Sequence, residues 1–229
     1  MNENQDPTEN IVEILLNKSS IKQQTYRNIC QAFEQMLEEA RVQIDIISAK
    51  TTEMDKDVKL SVEAISKQEF HVRVAGDLLV FVLHTNIITL TDEYDYNKSE
   101  YVKENPLRKY LGQINIYNFM SDSFEFNRLN DPGYLLARLL INYENHFIVE
   151  GDRQVGFMFE TISEKPIEKV DLDILIKLII TQAAENDLIA PPFSQIRNIT
   201  VREKMERTQS LGGGNKIGFQ MSYQNETKD

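Results

Sequence analysis

The sequence predicts an α+β fold, a largely antiparallel sheet packed against helices, and three observations carry the prediction. Between residues 57 and 160 the chain falls into short runs whose apolar side chains recur at alternate positions. Before those runs, Ile29, Phe33, Met36, Leu37, Ala40, Ile44 and Ile47 recur at helical spacing. After them, residues 166–187 are strongly apolar over a helix-sized length. Helix, a run of strands, helix and then one or two strands is the order of an α+β protein.

The expected organisation is one domain over residues 9–223, with a disordered start at 1–8 and a tail at 224–229. Its parts are a helical segment at 9–50, a strand-rich core at 57–160, an apolar helix at 166–187 and C-terminal strands at 195–223. Thr8 is placed to cap a short helix over 9–17, where Ile11, Val12, Leu15 and Leu16 form an apolar side. Ser19 or Ser20 would cap the longer helix, with Arg27, Gln31, Glu34, Glu38 and Arg41 facing water. Residues 42–46 also alternate as a strand would. Ile44 and Ile47 extend the helical stripe, which favours helix.

In the core, Val58, Leu60 and Val62 mark the first strand. Phe70, Val72 and Val74 alternate with His71 and Arg73, and Gly76-Asp77 has the chemistry of a two-residue hairpin turn. That turn would set Val74 against Leu79, Val72 against Phe81 and Phe70 against Leu83. Residues 78–83 are apolar throughout, so this strand should lie centrally, covered on both faces. Further strands are expected at 87–90, 113–119, 124–126, 134–142, 147–149 and 155–159, separated by a long acidic loop at 91–110. Pro166 suits the first turn of the apolar helix, and 196–201 with Ile217, Phe219 and Met221 would finish the sheet.

Arg138 lies within an apolar run and needs a partner if it is buried. A three-residue loop at 143–145, with Asn145 in the left-handed position, sets Asn142 against His146, Leu140 against Ile148 and Arg138 against Glu150. The pair would then stabilise the sheet and do no chemistry.

A formal charge of −11 argues against general nucleic-acid binding and against anionic membrane surfaces. Cys30, the single cysteine, excludes an intramolecular disulfide and should behave as a small buried hydrophobe. The start of the chain lacks a basic, then apolar, secretory pattern, and no apolar run reaches membrane-spanning length, so a cytoplasmic location is expected by elimination.

No catalytic or cofactor motif emerges. A calcium loop starting at Asp95 fails at Glu100, where glycine is required, and at Pro106, where a bidentate Glu is required. The three histidines lack zinc spacing, no nucleophile elbow is present, and Lys216 precedes an apolar strand pattern where a phosphate loop would lead into a helix. No metal and no cofactor are therefore expected. Arg202, Lys204, Arg207 and Lys216 form a basic arm that could contact an anion, against the plainer alternative of a charged connector. Tyr94, Tyr96 and Tyr101 either form a recognition surface or fold back over the sheet. The preferred function is a non-catalytic cytoplasmic binding or assembly protein that contacts protein partners and self-associates through its apolar helix or a sheet face. The alternative is an enzyme or small-ligand binder with a pocket near His84, Asn86, His146 and Glu150.

Overall fold

The computed structural model describes residues 6–205, apart from 52, 54, 152, 160, 164, 190, 191 and 203, together with residues 220 and 221. The first helix, α1 (Pro7–Ile14), is capped by the Asp6 carboxylate rather than by Thr8. It buries nothing and runs through a π-helical turn (Leu15–Ser19) directly into α2 (Ser20–Lys50). Neither Ser19 nor Ser20 caps a helix, because the backbone never leaves helical geometry there; Ser20 donates its hydroxyl to the Leu15 carbonyl. The predicted stripe of α2 is the buried one, and it continues as helix through residues 42–48.

Six antiparallel strands follow in simple sequence order: β1 (Leu60–Ser66), β2 (Glu69–Val74), β3 (Asp77–Leu83), β4 (Gly112–Met120), β5 (Tyr134–Ile141) and β6 (Phe147–Gly151). Between β3 and β4 the chain makes three short helical turns, α3 (Asp95–Lys98), α4 (Glu100–Glu104) and a 3-10 turn (Pro106–Lys109). A further turn, α5 (Ser121–Glu125), follows β4, and α6 (Arg153–Phe159) follows β6. The helix α7 (Lys169–Ala184) comes next, starting three residues beyond Pro166 and closed by a reciprocal Glu168–Asp171 capping box. A two-residue pair, β7 (Leu188–Ile189) with β8 (Gln220–Met221), flanks a short helical turn, α8 (Phe193–Ile196).

One face of the sheet carries Phe70, Val72, Leu79, Phe81, Ile114, Ile116, Leu139 and Val149, and lies under α2 and α7. Gly112 permits the closest approach: a Cβ there would stand 2.6 Å from Cβ of Ile29 on α2. Leu172, Leu175, Ile176, Ile179 and Ile180 of α7 are buried in this layer, while Val170, Lys177 and Thr181 remain exposed. The second face holds a smaller apolar cluster in which Leu90, Tyr96, Val102 and Leu111 cover Leu140 and Ile148. Among the described residues, no helix is long and apolar enough to cross a membrane.

Several expectations are corrected. The hairpin turn is Ala75-Gly76, so Val74 pairs with Asp77, Val72 with Leu79 and Phe70 with Phe81. The register differs by two residues, and because side chains alternate with period two, the faces are those expected. Residues 87–90 form no strand. Only an isolated bridge joins Ile88 to Leu111, because β3 and β5 already occupy both sides of β4. The 91–110 loop is instead helical turns, since Ser99 and Asn105 supply caps and Tyr96 and Val102 are buried against the sheet. Residues 124–126 are not a strand: α5 turns Phe124 onto the rings of His71 and Phe119. Residues 155–159 are helix rather than strand; Ser163 takes the outer backbone groups of Phe147, and α6 rises beside β6 instead of pairing with it. Residues 196–201 do not form a strand; α8 ends at Ile196, and the chain is irregular over 198–200. Of the expected disordered start, 1–5 lie outside the described residues, while Pro7 and Thr8 are helical. Ile217, Phe219 and the tail also lie outside.

Two predictions follow from the β2–β3 hairpin. Ala75 takes a φ of 55°, a left-handed conformation that costs an alanine about 1 kcal/mol and suits asparagine better. Ala75→Asn should therefore raise the unfolding free energy by about 0.5 kcal/mol, read from the denaturation midpoint at unchanged m-value.

The second concerns Asp77, which accepts a 2.8 Å hydrogen bond from Asn118, whose own buried amide oxygen has no partner among the described residues. Burial pushes the Asp77 carboxyl up to about 6; the Asn118 bond opposes this and the neighbouring Asp187 charge adds to it. The folded state thus holds this proton more tightly than the unfolded chain, so stability rises as pH falls from about 6 to about 4. After allowance for solvent screening the effect is on the order of 1 kcal/mol. Asp77→Asn should remove that slope and stabilise the protein at pH 7, as seen in melts across this range.

Candidate functional site

A polar network around the β5–β6 turn fixes where the short helices sit. Asn142 is fully buried, and its side-chain oxygen accepts from the backbone N–H of Glu144 (2.9 Å) and His146 (3.0 Å). Asn145 takes a φ of 64°, and the register sets Leu140 against Ile148 and Arg138 against Glu150, as expected for the three-residue loop. The Asn142 amide donates to the Tyr101 hydroxyl (2.8 Å), which donates to Glu144 (2.6 Å). Tyr143 (2.7 Å) and Arg108 (3.0 Å) also donate to Glu144. Burial pushes the Glu144 carboxyl up, but these three donors outweigh it and hold the group below the usual carboxylate range. Burial also pushes Tyr96 up to about 12, so it stays a neutral donor to the Arg108 carbonyl, 2.6 Å away. Asn28 on α2 donates to the carbonyls of Asn142 and Tyr143 and ties this network to the helical layer.

Beside the network lies an open cleft of about 790 Å³. One wall is Tyr94, Asp95, Tyr96 and Ser99; the other is α6, with Arg153, Gly156 and Phe157, followed by Thr161 and Ile162. Its floor is the edge strand β6, from Ile148 to Gly151. Antiparallel alternation turns the backbone groups of Phe147 and Val149 away from β5. Those of Phe147 bond to Ser163, while those of Val149 face the cleft side. Phe157 is 86% exposed and Tyr94 38%, so two aromatic rings stand open to water at the rim.

The tyrosines divide between the two readings of the sequence. Tyr96 and Tyr101 fold back over the sheet, and Tyr94 faces the cleft. Glu150 also lines the cleft, where it is hydrogen-bonded by Arg138, which in turn reaches the Tyr94 hydroxyl (3.3 Å). His146 lies outside it, its ring tilted against Tyr101 at 5.0 Å between centroids and its Nδ1 2.8 Å from the Ser163 carbonyl. His84 and Asn86 contact each other beyond the end of β3, three strands from His146 and therefore about 14 Å away at ordinary strand spacing. The structure does not bring His84, Asn86, His146 and Glu150 together. Arg202 and Lys204 are exposed on a helical segment after α8, while Arg207 and Lys216 lie outside the described residues. Among the described residues, no group of three His, Cys, Asp or Glu side chains is placed to hold a metal.

Sequence reasoning missed Phe157, Arg153, Ser99 and Ile162, chiefly because 155–159 alternates like a strand. The spacing of Gly151 and Gly156 was an available signal of close backbone approach. No protein-family model, curated protein or solved structure matches the chain. The fold and cleft define the class alone: an antiparallel α+β protein with a grooved sheet edge.

Gly156 seats α6 on β6, since a Cβ there would lie 2.2 Å from the Gly151 carbonyl oxygen. Gly156→Ala should therefore cost about 1–3 kcal/mol, visible as a lowered melting temperature, and shift the backbone NMR resonances of residues 148–151.

Proposed function

We propose that the protein is a non-catalytic binding protein that holds an extended segment of a partner protein in the cleft along β6. The observation that carries this is the pairing of a nearly fully exposed Phe157 with a cleft floored by an edge strand. An edge strand offers main-chain bonds to an added strand, and exposed aromatic rings supply contact area at low entropic cost. The carboxylate on the floor, Glu150, is bound by Arg138, which favours recognition over proton transfer. The alternative, an enzyme or small-ligand site at His84, Asn86, His146 and Glu150, has weaker support because these side chains are dispersed. A cytoplasmic setting is part of this proposal and is supported by the single cysteine, Cys30.

The test is selection of a displayed library of random peptides on the full chain. Enriched peptides should carry apolar residues at alternate positions, and Phe157→Ala should weaken them about tenfold or more at unchanged melting temperature. Failure to enrich any sequence, or peptides bound equally well by the variant, would overturn the reading.

A further inference from the structure

The sheet has a second edge, β1, on the side away from the cleft, and among the described residues nothing pairs with it. Lys59 accepts a backbone hydrogen bond from Ala75 (2.9 Å), which fixes the alternation along β1. Lys59, Ser61 and Glu63 bond inward to β2, so the N–H and C=O groups of Leu60, Val62 and Ala64 point outward. Unpaired groups in such a row are a template for another strand. Leu60 and Val62 face the helical layer, where they pack against its core. Lys59, Ser61 and Glu63 share the opposite face, and Lys59 and Glu63 are exposed without an ion pair to any described residue.

The segment Lys59-Leu60-Ser61-Val62-Glu63 is chemically palindromic, with opposite charges at its two ends and apolar residues flanking a central serine. We infer that this edge pairs with the same edge of a second copy of the chain, antiparallel about a two-fold axis at Ser61. In that register Leu60 and Val62 of each copy exchange main-chain hydrogen bonds with Val62 and Leu60 of the other. The two serines meet at the axis, and each Lys59 stands directly opposite the other copy's Glu63. Neighbouring registers lose this match. Centring on Val62 leaves Lys59 opposite Ile65; centring on Glu63 sets carboxylate against carboxylate and Lys59 against Lys67; centring on Leu60 sets Glu63 against Asp57. A one-step shift of the axis therefore removes both attractive pairs, and the charges select one register as well as one partner. The assembled sheet would run through twelve strands (twice the six of one chain), leaving the two β6 clefts at its far ends.

Light scattering after size-exclusion chromatography, on the full chain over a concentration series, tests this independently of the cleft. The expected species has twice the 26.6 kDa chain mass. Lys59→Glu alone and Glu63→Lys alone should each weaken the dimer about tenfold, because two attractive pairs become two repulsive ones. The double variant Lys59→Glu/Glu63→Lys should restore wild-type association, a rescue that a merely structural effect would not give. A monomer at every concentration overturns the inference and leaves the cleft reading untouched. A dimer that tolerates both single reversals also overturns it, by showing that association uses another surface.

Discussion

The structure depends on a sheet that is apolar on both faces over its middle and later strands. Leu139, Ile141 and Val149 on one face require the helical layer, and Leu140 and Ile148 on the other require a second cover. Two long helices satisfy the first need. The second falls to residues 88–111, which must fold because they bury Leu90, Tyr96, Val102 and Leu111 against strands that would otherwise face water. A segment acidic enough to read as a loop thus becomes a lid on the sheet, and its outer border forms one wall of the cleft.

Burying that cover brings polar atoms with it, and the network around Asn142 satisfies those of Tyr96, Tyr101 and Arg108. Its amide closes the β5–β6 turn through two backbone donors and hands a hydrogen bond to Tyr101, which passes one on to Glu144. Arg108 binds the same carboxylate and lies over the Tyr101 ring at 4.1 Å, so charge, ring and turn are fixed together. Removing one member would strand the others in a poorly solvated place, where an unmet donor or acceptor is costly. The consequence for function is positional. These side chains are occupied with one another and hold the cleft wall in place, while the rings of Tyr94 and Phe157 stand exposed at the rim.

How much of this was legible in the sequence follows from which interactions are local. The α2 stripe, the central place of β3 and the Arg138–Glu150 register were readable because periodicity and a single turn determine them. Residues 155–159 were not: Val155, Phe157 and Phe159 alternate like a strand, yet the chain returns to β6 only at Ser163, which bonds Phe147, and no local pattern reveals that contact. The same limit applies to residues 91–110, whose caps at Ser99 and Asn105 lie in plain view, but whose burial depends on a face of β5 and β6. The cleft was hidden because it needs both of these segments in their folded positions.

The two edges of the sheet are managed differently, and the difference bears on what each is for. At β6 the outward backbone groups of Phe147 are met by Ser163, and α6 rises beside the rest, so only a short stretch remains open inside a groove. At β1 the protection is sparse: a bulge between Ala64 and Ser66, and two charges on the solvent face. Bulges and charges are the usual means by which an edge avoids indiscriminate pairing. Here the charges are opposite in sign and symmetrically placed about Ser61, so they repel most registers while matching one. A device that merely blocked pairing would work better with charges of one sign. The balanced pair is what selective pairing requires.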